Sequence, residues 1–235
     1  MKRFVIAATL FGALASTLTA CAPPAPAPKT EAPAPKVEPA PSIEGIPAGT
    51  YKLDKYHASL DFRVSHLGFS NYTARFTRFD ATLELDPANP ATASITATVD
   101  PNSLAVPTPP AGFLAELKGP QFLDTAKFKE ITFKSTRVEP LAGGRARITG
   151  DFTLHGVTQP LVLEARFNGG YPGYAPMDPN ARIGFSATGV IKRSAHGMGY
   201  GVPAPGTRMG VGDDVNVTIE AEFTGPPLPV TDPAK

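Results

Sequence analysis

The sequence contains very little cysteine and no tryptophan. Cys21 is the one cysteine among 235 residues, and Phe, with 14 copies, is the main bulky aromatic residue. A single thiol excludes an internal disulfide, even in an oxidising compartment. Stability must therefore come from a packed core, and the roughly 180 residues of the C-terminal part are enough for one domain with a sizeable core.

The sequence also lacks a concentrated block of charge. It carries 22 basic and 21 acidic residues, and loss of residues 1–20 would remove Lys2 and Arg3, leaving 20 against 21 and a formal net charge of −1. The remaining basic residues are scattered along the chain. Because nucleic-acid binding needs a concentrated basic face, this composition argues against a nucleic-acid partner.

Residues 1–20 have the features of an export signal. Lys2 and Arg3 form a basic start, and an apolar stretch runs from Phe4 to Leu18. That stretch is short for a bilayer span, and no later segment approaches the ~18–20 apolar residues that a spanning helix needs. The pattern predicts a signal peptide that is removed on export.

The signal ends in Leu18-Thr-Ala-Cys21, which resembles a bacterial lipobox. The resemblance implies that the Cys21 thiol is diacylated and that Cys21 becomes the new N-terminus, with a chance cysteine as the alternative. Ala22 stands where lipoproteins held at the inner membrane often carry Asp. We therefore expect a lipid-anchored protein on the periplasmic side of the envelope, at the outer membrane.

The segment that follows Cys21 is rich in Pro and Ala. Nine prolines lie between Ala22 and Pro47. Such a composition has too little apolar bulk to offset the entropy of ordering and favours extended polyproline II, with a reach of roughly 80 Å. Residues 21–47 are thus predicted to be a disordered linker, and residues 226–235 a flexible tail. A Pro-rich ligand for a partner is the weaker alternative.

Apolar and polar residues alternate with period two through most of residues 48–225, which predicts a single β-domain. Leu60, Phe62 and Val64 are typical of the pattern, because polar residues separate them. Turn residues such as those at 86–87, 143–144, 155–156 and 168–170 separate the strands. The alternating segments lie at 60–64, 83–85, 95–99, 131–133, 148–154, 161–167, 183–191 and 215–223.

One segment breaks this rhythm. Phe113, Leu114 and Leu117 follow helical spacing between Pro110 and Gly119, which predicts a short helix.

Eight or nine antiparallel strands must hide one large apolar face, either as a sandwich or as a closed barrel. The interior of an eight-stranded barrel is either filled by side chains or just wide enough for one small apolar ligand.

Several segments in a fixed order, from about Tyr51 to Phe223, resemble the YceI-like polyisoprenoid-binding family. The most specific is ITGDFTLHGVTQPL, which begins at Ile148. The resemblance implies an all-β, antiparallel, eight-stranded lipocalin-like barrel with a short helix insertion around an elongated apolar cavity. The resembling segments are Tyr51–Phe62, Val64–Gly68, Gln121–Asp124 with Ile131–Thr136, Ile148–Leu161, and Ile191–Met198 with Val211–Val215.

The resemblance also implies a function, which is to bind or carry a long isoprenoid lipid of the polyprenyl or quinone type. It implies no catalysis and no cofactor. The alternating faces select candidate cavity walls, and a one-residue shift in register would turn any of them outward. These candidates are Phe62, Val64, Leu83, Phe133, Phe152, Phe167, Phe185 and Ile219.

Three features depart from the family pattern. Ala58 stands where the family usually has Ser, and Ala74 where Gly is common. The loop predicted between Tyr171 and Arg182 is longer than usual. These departures concern the loops and the ligand entrance, and they leave the predicted barrel intact.

Other candidate chemistry is weak. His57, His66, His155 and His196 form no i, i+2 or i, i+4 pair, so we predict no metal site and hydrogen-bonded structural roles for them. The segment around Ser186 lacks the second Gly of a G-x-S-x-G nucleophile elbow and lies within a strand pattern. We therefore predict no catalytic residue.

Two alternative functions stay open at this stage. One is a filled barrel that acts as a tethered interaction module in the envelope. The other is a hydrolase for a small apolar substrate, which requires a titratable residue such as His57 or His66 to face the cavity.

Overall fold

A computed structural model describes residues 41–174 and 176–228. Contacts divide the chain into two units, Met1–Glu38 and Pro39–Lys235, and every element below belongs to the second. The predicted signal peptide, Cys21 and the linker up to residue 40 lie outside the described residues, as does the predicted tail from residue 229. None of the helices in the described part has the length and hydropathy to cross a membrane.

The alternating segments form ten β-strands, and one short α-helix interrupts them. Short 3-10 helices lie at Pro90–Thr92, Pro101–Ser103 and Arg193–His196. The elements are β1 (Gly49–His66), β2 (Ser70–Phe76), β3 (Phe79–Leu85), β4 (Ser94–Val99), β5 (Leu104–Ala105), α1 (Phe113–Leu117), β6 (Ile131–Leu141), β7 (Arg145–Leu154), β8 (Val157–Tyr171), β9 (Asn180–Lys192) and β10 (Val211–Pro227).

Eight of these strands close into a barrel. The ring runs β1-β3-β4-β6-β7-β8-β9-β10, all neighbours are antiparallel, and pairing of β10 with β1 completes the circle. β2 pairs with the second half of β1, and the two-residue β5 pairs with β2. The predicted eight-stranded antiparallel barrel with a short helix insertion is therefore confirmed.

β1 is bent by an irregularity in its middle. Its first residues pair with β3, where Gly49 faces Leu85, and its second half pairs with β2, where Leu60 faces Phe76. Between Leu53 and Ala58 the strand loses its register with β10. Such a bulge re-aims the side chains it contains, and here it carries residues 54–57 out of the ladder.

Side chains alternate between the interior and the exterior of the barrel, as period-two patterning requires. On β8 the buried inner residues are Leu161, Leu163, Ala165 and Phe167, while the residues between them are exposed. β7 contributes Ile148, Phe152 and Leu154 in the same way. The predicted strand register is therefore correct for these strands.

Packing begins before residue 48 and continues past residue 225. Ile46, which the sequence assigns to the linker, is 6% exposed and belongs to the buried cluster at one end of the barrel. The Tyr51 hydroxyl donates a hydrogen bond to the carbonyl oxygen of Pro47 at 2.6 Å. At the other terminus β10 runs to Pro227, and the Leu228 N–H donates to the carbonyl of Pro179 at 2.7 Å.

The two ends of the barrel differ in what covers them. We call the end near Pro41 the proximal end; it carries the β3–β4, β6–β7 and β8–β9 connections. The distal end carries the β1–β2 turn, the long segment between β5 and β6 that contains α1, and the segment 193–210. Gly112 precedes α1 in the left-handed region at φ 82°, a conformation that glycine adopts without strain.

Candidate functional site

The interior of the barrel is an elongated apolar cavity of about 960 Å³. This volume lies near the upper limit of ordinary ligand pockets, roughly 300–1,000 Å³. Inward-facing residues of all eight ring strands line it. All eight candidate wall residues line it: Phe62, Val64, Leu83, Phe133, Phe152, Phe167, Phe185 and Ile219.

The walls do not close on one another. Phe62, Val64, Phe185 and Ile219 line the cavity and yet are only half-buried. In a filled core, such inward-facing side chains are in contact with neighbours on every side. Their residual exposure shows unoccupied space inside the wall, so the interior is a cavity and not a filled core.

The cavity extends along the barrel from one end to the other. At the proximal end its lining includes Pro41 and the exposed residues Leu141 and Arg145. At the distal end it includes the exposed residues His66 and Ser70. Lining residues therefore reach the surface at both ends.

Arg193 is the one buried charged side chain of the cavity lining in the described residues, at 5% exposure. Its guanidinium donates four hydrogen bonds of 2.7–2.9 Å to backbone carbonyls, those of Met198, Tyr200, Val211 and Gly212. Burial lowers the pKa of this group from its ordinary value. Because four of five N–H donors are already used, Arg193 holds the distal loop in place and has little capacity for a ligand.

Two buried polar atoms have no hydrogen-bond partner among the described residues. They are the hydroxyl of Tyr72, which lines the cavity, and Nε2 of His155. The Tyr72 ring packs edge-on against Phe113 of α1, with ring centroids 6.2 Å apart. The sequence analysis did not select Tyr72, although Tyr72 lies on β2 in the same period-two alternation as the inward-facing Ala74 and Phe76.

The four histidines do not form one cluster. His155 contacts the backbone of His196, and the other two lie apart from them. His66 lies at the distal rim, whereas the side chain of His57 is 60% exposed on the outer wall. His155 Nδ1 lies 3.1 Å from the carbonyl oxygen of His196, and His196 Nδ1 lies 3.0 Å from that of Val157. The last two are hydrogen-bonded structural residues at the distal end.

The bulge in β1 creates a charged cluster on the outer wall. His57 Nδ1 lies 3.0 Å from Asp54 Oδ2 and 3.9 Å from Glu222 Oε2, a spacing that a metal ion could bridge. Arg182 Nη1 also contacts Asp54 Oδ2, at 2.5 Å. The hydrogen bond from His57, with others from the Tyr56 N–H and Arg182, lowers the pKa of Asp54 to about 2. The cluster is thus satisfied internally as an ion-pair network.

Ser186 is placed on the exterior and not in a nucleophile elbow. Its hydroxyl donates to Glu220 Oε2 at 2.5 Å and accepts from Asn168 Nδ2 at 2.8 Å. It lies within β9, opposite Glu220 of β10. In this position Ser186 connects three neighbouring strands on the outer wall.

The chain matches the YceI-like domain family over residues 51–223. It is similar to Protein YceI of Escherichia coli O157:H7, with 42% identity over 147 residues that cover 62% of this chain and 74% of that protein. Among solved structures it is similar to a YCEI protein of Campylobacter jejuni, at TM-score 0.56 and 26% identity over 69% of this chain and 90% of that one.

A further solved structure shares the fold at low identity. It is a polyisoprenoid binding domain from Saccharophagus degradans, described as implicated in plant cell wall breakdown. The TM-score is 0.53 at 17% identity, and the alignment covers 75% of this chain and 98% of that domain. At that identity the likeness concerns the barrel alone.

Proposed function

This chain belongs to the YceI-like domain family, and we propose that it binds or carries a long isoprenoid lipid inside the barrel without catalysing a reaction. The observation that carries the proposal is the continuous apolar cavity of about 960 Å³. The fold shared with a polyisoprenoid binding domain supports the choice of ligand class.

The cavity chemistry favours a chain-like apolar ligand over a polar one. Each buried CH₂-sized unit contributes roughly 0.8 kcal/mol, so a tail of several isoprene units binds without specific polar contacts. The Arg193 guanidinium inside the barrel is held by backbone carbonyls. Recognition would therefore come from length and shape, and it would admit both polyprenyl and quinone tails.

The proposal includes an anchored location. The lipobox-like ending at Cys21 supports a lipid anchor, and the composition of the segment after it supports a spacer. Ala22, which follows Cys21 where lipoproteins held at the inner membrane often carry Asp, supports a location on the periplasmic side of the outer membrane. The anchor would keep a lipid binder close to the membrane that supplies its ligand.

Lipid extraction tests the ligand. The chain without residues 1–21, purified without detergent, should release an isoprenoid lipid on solvent extraction. After delipidation it should take up one added polyprenol or ubiquinone molecule, as seen by native mass spectrometry. Failure of both steps with a folded protein would reject the proposal.

The proposed absence of catalysis has its own test. His57 lies outside the barrel, so His66 is the remaining histidine of the hydrolase alternative that lines the cavity. A panel of small apolar esters should show no turnover above background. Turnover that disappears in a folded His66→Ala variant would favour the enzyme.

A further inference from the structure

The proximal end exposes several large apolar side chains. Leu141 at the end of β6 is 39% exposed and Tyr171 at the end of β8 is 40% exposed. Tyr174 and Met177, both in the β8–β9 connection, are 65% and 83% exposed. Apolar groups concentrated at one place on a surface indicate an interaction site more strongly than scattered ones do.

Two exposed arginines lie at the same end of the barrel. Arg145 of β7 faces Arg166 of β8 directly across the strand pair. In the described part of the chain neither guanidinium has a carboxylate within 4 Å, whereas the neighbouring Arg147 is paired with Glu164 at 2.9 Å. Like charges directly opposite each other are unfavourable, and an anionic surface would relieve this repulsion. We call Leu141, Arg145, Arg166, Tyr171, Tyr174 and Met177 the proximal rim.

The predicted tether meets the barrel at this rim. Pro41 lies against Gly169 of β8, where an added Cβ would stand 4.0 Å from Pro41 Cβ. Pro41 and Ile43 both line the cavity at its proximal end. The 19 residues between Cys21 and Pro41 would reach at most about 60 Å if extended as polyproline II.

The distal end also exposes large side chains, among them Phe69 at 80% and Met209 at 71%. It lies at the opposite end of the wall from Pro41. β8 alone has 15 residues, which span about 50 Å along the strand. A lipid-anchored Cys21 could bring the distal end to the bilayer only by leading the tether back along the barrel, so the tether favours the proximal end.

From these observations we propose that the proximal rim docks on the surface of an anionic lipid bilayer. Tyr174 and Met177 would enter the headgroup region, where amphipathic tyrosine rings are favoured. Arg145 and Arg166 would contact lipid phosphates. Glu44 and Asp86 are also exposed at this end, so the contact lies on the β6–β9 side. Asp178 lies on that side too, but it is paired with Arg182 at 2.9 Å and accepts a hydrogen bond from the Tyr171 hydroxyl at 2.7 Å.

This geometry gives the cavity a direct route to the bilayer. Leu141 and Arg145 belong both to the rim and to the cavity lining. A docked barrel would therefore present its proximal opening to the lipid surface, and an isoprenoid tail would pass into the cavity without crossing water. The docking proposal rests on the proposed function for its anchored orientation, but not for the contact surface itself.

The absence of tryptophan allows a sharp test. The chain from Cys21 onward is coupled through its single thiol to maleimide-headgroup lipid in vesicles of about three parts phosphatidylcholine and one part phosphatidylglycerol. Tyr174→Trp places a single fluorophore on the proximal rim, and Phe69→Trp is the matched distal control. Brominated lipids should strongly quench the indole emission of the Tyr174→Trp protein and shift it to the blue, while the distal fluorophore stays unquenched.

The role of charge is tested with the same fluorophore but with protein that is not coupled to the vesicles. Replacing both arginines, Arg145→Gln with Arg166→Gln, should weaken binding of the Tyr174→Trp chain to anionic vesicles about 25-fold, at roughly fivefold per arginine near an anionic surface. The same pair of changes should leave binding to neutral vesicles unchanged. Circular dichroism of each variant confirms folding.

Three results would overturn the docking proposal: equal quenching at both ends, quenching only at the distal end, or no quenching at residue 174 in a folded protein. Capture of another protein by the rim in place of vesicles would also reject it. Uptake of polyprenol from solution is measured in parallel. Quenching at residue 174 in a protein that neither releases lipid on extraction nor takes up polyprenol supports docking and rejects lipid binding, whereas uptake without quenching rejects docking alone.

Discussion

Filling the cavity from within should stabilise the lipid-free protein. Ala187 of β9 lines the cavity, is half-buried, and faces Ala165 of β8 and Ile219 of β10. Ala187→Leu adds three carbon atoms on the inner face of the wall. Because the space already exists, these atoms gain apolar contacts without displacing neighbours.

The expected magnitude follows from the added carbons. Three buried CH₂-sized groups contribute up to about 2.4 kcal/mol at roughly 0.8 kcal/mol each. Ordering the leucine side chain opposes this by about 0.5–1 kcal/mol. The net increase in the free energy of unfolding should therefore be about 1.5 kcal/mol. A filled barrel would instead lose about 1–3 kcal/mol through overpacking, so the two interpretations predict opposite signs.

Urea unfolding of delipidated protein measures this difference, because bound lipid would add its own stabilisation. Gly150→Ala is the matched control on the inner face, where an added Cβ would clash with the Phe133 ring and stand 2.6 Å from the carbonyl oxygen of Lys134. This control should lose about 1–3 kcal/mol. A similar loss in Ala187→Leu would refute the reasoning, because it would mean that the interior is closed. Reduced polyprenol uptake by a stabilised Ala187→Leu protein would show that the ligand occupies the volume that the leucine fills.

Three further outcomes are expected. Tyr72→Phe removes a buried hydroxyl that has no partner among the described residues, so the free energy of unfolding should rise by about 1 kcal/mol in urea titrations; a decrease would reveal a hydrogen bond that the geometry does not show. Arg193→Met removes the guanidinium donor from four carbonyls, one buried and three part-buried, and should lower that free energy by several kcal/mol, with hydrogen exchange rising first in segment 198–212; uniform exchange would contradict the local role. The contact with Asp54 raises the pKa of His57, so this stabilisation is complete below about pH 6.5 and is lost as pH rises through the folded pKa. His57→Gln should therefore flatten the decline in stability from pH 6.5 upward, and an unchanged pH profile would show that the contact is absent in solution. The lowered pKa of Asp54 stabilises the fold at pH values above the ordinary pKa of an aspartate. This stabilisation is lost as pH falls through the folded pKa of about 2.

The barrel could be predicted from the sequence where alternation alone decides the structure. Phe152 and Phe167 face the cavity because β7 keeps period two throughout and β8 keeps it up to Phe167, after which its register with β9 shifts. The bulge at residues 54–57 could not be predicted, because it depends on how one strand pairs with β3 and then β2. The predicted loop 171–182 is shorter in the structure, since β8 includes Tyr171 and β9 begins at Asn180.

The candidate site also has a part that the sequence predicts and a part that it does not. Local patterning selected the cavity walls, because each inward position is set by its own strand. The contribution of Tyr72 and Pro41 to the lining depends on tertiary placement. Volume is also a tertiary property: the same apolar faces would line a filled or an open barrel, and the barrel radius decides which.

The pairing of β1 with β10 has a consequence for how the protein matures. Lys52 pairs with Thr224, so the ring closes only when the first and last strands of the domain meet. Such distant contacts make folding slow. If the chain is exported and anchored at Cys21, as proposed, its barrel would close only after β10 has crossed the membrane. Attachment at Cys21 would therefore precede barrel closure, and ligand loading would follow it. A chain truncated before Val211 should remain anchored, unclosed and sensitive to protease.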